Sequence, residues 1–131
     1  MLHVYGVSPS PFVRKVLTCL ELKGLPFEQT MVMPMATPED YNKISPLRKV
    51  PALQDGDLTL CDSSVICEYL DEAYPERATM PASPADRAKA RWLEEYADSK
   101  LSEVASGLFF EVVLKPMMMQ AKQYLMKSVN W

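Results

Sequence analysis

Apolar and polar positions alternate through Leu2-His3-Val4-Tyr5-Gly6-Val7, which predicts a first strand over residues 2–7. Ser8-Pro9-Ser10-Pro11 ends it, with Ser10 placed as an N-cap and Pro11 as the first helical residue. Phe12, Val13, Val16, Leu17 and Leu20 then recur at the helical period through Leu22, until Gly24 and Pro26 stop the helix. Residues 27–32 read as a second strand, and Thr37-Pro38-Glu39-Asp40 as a capping-box start for a short helix or turn ending near Ser45-Pro46. Val50-Pro51-Ala52-Leu53 opens a third strand, Asp55-Gly56-Asp57 turns it, and Leu58–Cys61 returns antiparallel. Asp62-Ser63-Ser64 caps a helix from about Val65 to Tyr74, ahead of Pro75. The order β-α-β then ββ-α predicts a small α/β sandwich over residues 1–75.

The period changes afterwards. Residues 76–83 have linker composition, and Ser83-Pro84-Ala85-Asp86 is another capping box. A long helix should run from there to Pro116, with Ala88, Trp92, Tyr96, Val104 and Leu108 as its buried stripe. An amphipathic piece from Ala121 to Val129 should follow. Residues 84–131 thus read as part of an all-α domain. Two helices cannot enclose a core, so this half needs the first domain, a partner chain or further sequence.

Composition narrows the class. A chain of 131 residues, 48% hydrophobic and 24% charged, fits an ordinary soluble protein and excludes a disordered tail, a collagen-like fibre or a disulfide scaffold. No apolar run spans a bilayer and no basic-then-apolar leader opens the chain, so a cytoplasmic protein without membrane association is expected. The net charge of −3 offers nucleic acid no basic face, so no nucleic-acid partner is expected. Cys19, Cys61 and Cys67 form no CxxC, which suits thiols in a reducing compartment. With His3 the lone histidine and no HExxH motif, no metal site is expected.

Candidate chemistry lies in three places. Ser10 opens a helix directly after a strand, where exposed backbone N–H groups and the positive end of the helix dipole favour an anion. An ordinary N-cap would look the same. Pro51, opening a strand after a loop, is a candidate cis proline that would leave Val50's backbone N–H and C=O facing an extended ligand, against an ordinary trans proline. Asp62 and Ser63 at the third helix start suit an amino-acid head, Asp62 for an ammonium and Ser63 with nearby N–H groups for a carboxylate, or they are simply a cap.

Three segments carry a family resemblance: Ser10-Pro11-Phe12-Val13-Arg14-Lys15-Val16, Ser45-Pro46-Leu47-Arg48-Lys49-Val50-Pro51-Ala52-Leu53, and Asp62-Ser63-Ser64-Val65-Ile66-Cys67-Glu68-Tyr69-Leu70. They resemble the signatures of the thioredoxin-like domain of cytosolic glutathione S-transferases. Arg87 to Leu101 is similar to the first helix of that family's all-helical second domain, whose remaining helices exceed this chain's length. The chain departs from the family pattern with Ser45-Pro46 for Asn-Pro, Arg48 for a small residue, and Asp62 for the commoner Glu or Gln.

The resemblance implies a serine-type enzyme with glutathione as co-substrate. Ser10 would hydrogen-bond the thiolate, Val50 would pair with the cysteinyl unit beside a cis Pro51, Lys49 would reach the glycyl carboxylate, and Asp62 and Ser63 would hold the γ-glutamyl end. Tyr5 and Ser8 stay open as rival thiolate partners. The chemical task is to ionise a thiol that, at a pKa of ~8.5, is about 3% thiolate at pH 7. Leu108, Phe109, Val113 and Met117 are candidates for the wall of an apolar electrophile pocket, or for an ordinary core stripe. A non-catalytic binding protein and a glutathione-dependent isomerase or dehalogenase are the alternative functions. A homodimer is expected, using Val65, Ile66, Tyr69 and Leu70 on one helix and Trp92, Tyr96 and Leu101 on the other.

Overall fold

The computed structural model describes residues 1–128, with side chains through residue 123. Its first unit, Met1–Ala90, contains β1 (Leu2–Tyr5), α1 (Pro11–Lys23), β2 (Phe27–Thr30), β3 (Ala52–Asp55), β4 (Leu58–Cys61) and α2 (Ser63–Ala73), and α3 (Pro84–Tyr96) starts in it. The sheet order is β2-β1-β3-β4. β1 pairs parallel with β2 and antiparallel with β3, and β3 pairs antiparallel with β4. This is the expected α/β, thioredoxin-like layout: a parallel crossover followed by a hairpin.

Alternation in β1 decides what each face of the sheet holds. Leu2 and Val4 are buried and join Val16, Cys19 and Leu20 of α1, Leu53 of β3, and Ile66 and Leu70 of α2 in one core. His3 and Tyr5 turn to the opposite face, where their rings stack on each other and Tyr5 meets the buried Tyr41. α1 ends as its glycine predicts: Gly24 takes φ 66°, its N–H donates to Glu21 O, and Leu25 N–H donates to Leu20 O. α2 is held to the sheet by Asp55, whose Oδ2 accepts the hydroxyls of Tyr69 (2.8 Å) and Tyr74 (2.6 Å). Those two donors lower the Asp55 pKa.

Several expectations need correction. β1 ends at Tyr5 and β2 at Thr30, because Gly6 leaves strand geometry at φ 144°. Thr37 caps nothing: Arg48 Nε donates to its hydroxyl at 2.8 Å, and the turn Glu39–Lys43 is a short 3₁₀ helix starting after Pro38. α2 begins at Ser63 rather than Val65, since Asp62 is its N-cap. Ile66 and Leu70 are fully buried against the sheet, so they are core residues and not interface residues.

The second unit begins at Arg91 and is helical through Ser128. α4 (Ser102–Phe109) and α5 (Lys115–Ser128) follow α3, with π turns at Ala97–Leu101 and Phe110–Leu114 between them. Pro116 therefore does not end the helix. It lacks the N–H that would bond four residues back, and the wider turn directly before it accommodates that gap. The expected buried stripe is exposed at Ala88 in the first unit and at Trp92, Tyr96, Val104 and Leu108 in the second, whose consecutive helices have no second layer of their own to cover it. The piece expected over Ala121 to Val129 falls within α5 up to Ser128; Val129 lies outside the described residues. Among the described residues, no helix is long and apolar enough to cross a membrane, and no group of side chains could hold a metal ion.

Candidate functional site

Register brings the sequence candidates to one end of the sheet. Tyr5 pairs with Ala52, and Ala52 pairs with Cys61, so the end of β1, the start of β3 and the end of β4 form a single row. The Gly6–Ser10 loop, Lys49–Pro51 and Asp62–Ser63 all leave from that row. α1 and α2 also begin here, and Lys15 Nζ donates to Ser64 Oγ at 2.9 Å between their first turns. Two positive helix ends thus meet at one edge.

Ser10 is the N-cap of α1, half-buried, with extended backbone at φ −68° and ψ 126°. Its Oγ accepts the Val13 N–H over a long 3.4 Å. A hydroxyl that accepts from the helix keeps its own proton for another acceptor. The rival hydroxyls are placed differently. Tyr5 donates its proton to Gln54 Oε1 at 2.9 Å, and Ser8, exposed, accepts from Gln29 Nε2 at 3.4 Å.

The Val50–Pro51 peptide is cis, as the family resemblance implies. The loop before it is tightly held. Buried Ser45 donates its hydroxyl to Lys49 O at 2.9 Å and accepts Lys49 N–H at 3.1 Å, while Tyr41 OH donates to the same carbonyl at 3.1 Å. Burial first, then the neighbouring Cys61 and Tyr5, pushes the Tyr41 hydroxyl up to about 12, so it stays protonated and able to donate. Arg48 stands at φ 54°, with its guanidinium on the carbonyls of Thr37 and Pro38 at 2.8 and 2.9 Å. Lys49's side chain is exposed. Asp62, at φ 80°, caps α2 by accepting Ser64 N–H (2.9 Å) and Val65 N–H (3.3 Å), both on Oδ1; Ser63 beside it is buried.

Two residues that position this edge were missed in the sequence. Ser45 was read as the end of a turn and as a departure from a motif, yet its hydroxyl clasps both the carbonyl and the N–H of Lys49, directly before Val50. Gly6 was read as a strand residue. A Cβ there would lie 2.6 Å from Val13 Cγ2 and 3.2 Å from Val50 Cβ, so glycine is what lets α1, β1 and the cis loop meet. A glycine inside a run of strand formers was the available signal. Leu108, Phe109, Val113 and Met117 belong to the second unit, and all are exposed there. Leu108 borders a shallow groove with Tyr96, Leu101 and Val104, whereas the other three lie outside it.

Residues 4–78 match the family described as glutathione S-transferase, N-terminal domain. The chain belongs to the glutathione S-transferase family. A glutathione S-transferase of Hyoscyamus muticus is 33% identical over 122 residues, covering 89% of this chain and 58% of its own length. The solved glutathione S-transferase of Rhodospirillum rubrum F11 superposes with a TM-score of 0.83 at 35% identity, over 88% of this chain and 54% of that one. A theta-class glutathione S-transferase from the citrus canker pathogen Xanthomonas axonopodis pv. citri, solved with glutathione bound, gives 0.77 at 32% identity, over 86% of this chain and 55% of that one. The chain thus spans little more than half the length of these glutathione S-transferase relatives.

Proposed function

We propose that the chain is the glutathione-binding part of a serine-type glutathione transferase, which conjugates the glutathione thiolate to a small, largely apolar electrophile. The observation that carries this reading is the convergence of Ser10, the cis Val50–Pro51 bond and the Asp62 cap at one sheet edge. The tripeptide would lie extended along that edge. Val50 would pair by backbone with the cysteinyl unit, and Ser63 with the helix N–H groups would take the γ-glutamyl carboxylate. The γ-glutamyl ammonium suits the second carboxylate oxygen of Asp62. Lys49, exposed at the rim, suits the glycyl carboxylate.

Ser10 would act on the sulfur. Lowering the thiol pKa by two units raises the thiolate to about three-quarters at pH 7 and needs roughly 2.7 kcal/mol. A donated hydroxyl hydrogen bond to an anion contributes about 1.5–3 kcal/mol, and the helix end adds about 0.3–1. Tyr5 is the weaker donor because its proton is engaged by Gln54. The test is retention on immobilised glutathione together with turnover of an aryl-halide electrophile. Ser10→Ala should lower kcat at least about 10-fold while glutathione affinity stays within a few-fold, the pattern of an interaction made with the reacting atom. Loss of turnover in Tyr5→Phe but not in Ser10→Ala would overturn the assignment.

A further inference from the structure

α1 and α2 are joined by polar contacts at successive turns. Near their starts, Lys15 Nζ donates to Ser64 Oγ at 2.9 Å. Near their ends, Lys23 Nζ meets Asp71 Oδ1 at 2.8 Å, with both side chains almost fully buried. Cys19 stands four residues from each lysine, and Cys67 lies between Ser64 and Asp71, three and four residues away, so each faces the other helix. The structure pairs them. Cys19 is 6% exposed, half-buried Cys67 packs against the same core cluster, and the two thiols are hydrogen-bonded.

We propose that Cys19 and Cys67 are a dithiol modification site, oxidised by hydroperoxides to a disulfide that cross-links α1 to α2. The Cys67 hydrogen bond, seconded by the Thr79 hydroxyl at 3.9 Å, outweighs burial and draws the Cys19 thiol down to about 7, while Asp71 and Lys23 act in opposite senses from one turn away. The Cys19 thiol therefore ionises near neutral pH, with Cys67 as its hydrogen-bond partner. Cys67, the more accessible sulfur, passes its proton to Cys19 and attacks a peroxide oxygen. The O–O bond breaks, a sulfenic acid forms on Cys67, and the released hydroxide takes a proton from solvent. The Cys19 sulfur then displaces the sulfenic oxygen, which leaves as water with the Cys19 proton as the S–S bond forms. Two thiols are oxidised and one peroxide is reduced to water. Cys61 takes no part, because its thiol donates to Ile44 O at 3.3 Å from β4.

Reduced protein treated with hydrogen peroxide, alkylated, digested and sequenced by mass spectrometry should give a Cys19–Cys67 cross-linked peptide that reductant removes. The same sample should show an upward shift of the thermal midpoint, because the bond closes a long loop of the unfolded chain. Cys61→Ala should keep the cross-link. Cys67→Ala, a small change at a half-buried position, should lose it. A peroxide product in which Cys61 pairs with either cysteine would overturn the proposal. So would pairing only between chains, or persistence of alkylatable Cys19 and Cys67 while Cys61 oxidises.

Discussion

At the scale of single residues, the proposed site depends on a side chain that is absent. Gly6 sits at φ 144° with a would-be Cβ 2.6 Å from Val13 Cγ2. Gly6→Ala therefore combines an unfavourable backbone region with a collision against a fully buried valine, and should cost about 3 kcal/mol by denaturant unfolding. Gly56→Ala is the control. Gly56 also has positive φ, at 58°, but nothing lies within 4 Å of its would-be Cβ, so the expected cost is about 1 kcal/mol. Equal losses in the two variants would show that conformation alone, and not close approach, fixes Gly6.

At the scale of elements, the buried Lys23–Asp71 pair anchors α2 both to α1 and to the segment after it. Asp71 also accepts the backbone N–H groups of Thr79 and Met80, while Lys23 donates to Arg77 O at 2.9 Å. Burial alone would raise the Asp71 pKa; the Lys23 ammonium and the Thr79 and Met80 donors outweigh it, and the carboxyl falls from 3.8 to about 2. A folded pKa below the unfolded one contributes stability that is complete above about pH 4 and is lost as pH falls to about 2. The amount is about 2 kcal/mol. Asp71→Asn should flatten that part of the stability–pH profile and, at pH 7, cost ~3 kcal/mol by stranding a buried ammonium. A profile between pH 4 and 2 unchanged by the substitution would remove the pair from the account of acid stability.

Element order, caps and hairpin were legible because each rests on local chemistry: Ser10 before Pro11, Gly24 after Lys23, and Gly56-Asp57 between paired strands. The cis bond was legible through the family resemblance, since Pro51's position between loop and strand also fits an ordinary trans proline. What was hidden depends on contacts distant in sequence. Thr37 looked like a cap until Arg48 took its hydroxyl, and Ile66 and Leu70 looked available until the sheet covered them. The helical stripe misled for the opposite reason, since periodicity says which residues share a face but not whether anything covers it.

At the scale of the whole molecule, each unit leaves large apolar side chains in the open: Val65 in the first, and Trp92, Tyr96 and Leu101 in the second. We propose that the chain self-associates as a homodimer and covers part of this surface. Sedimentation at micromolar concentration should show a dimer, and salt should weaken it little, because exposed ion pairs contribute only ~0–1 kcal/mol each. A folded monomer under those conditions would refute the proposal.

The placement of β1 between a parallel and an antiparallel neighbour has a bearing on how the chain folds. β1-α1-β2 and the β3–β4 hairpin are each locally connected, and the β1–β3 ladder, pairing Tyr5 with Ala52, joins them into one sheet. That ladder closes a loop of roughly 50 residues, an entropic cost incurred before its contacts form. Gly6 reaches Val50 only across the same seam. Either half alone can carry helix and strand signals in a spectrum, but neither contains the whole edge to which Ser10 and Val50 both belong. Affinity for glutathione would therefore report the last long-range closure of the sheet rather than secondary-structure content.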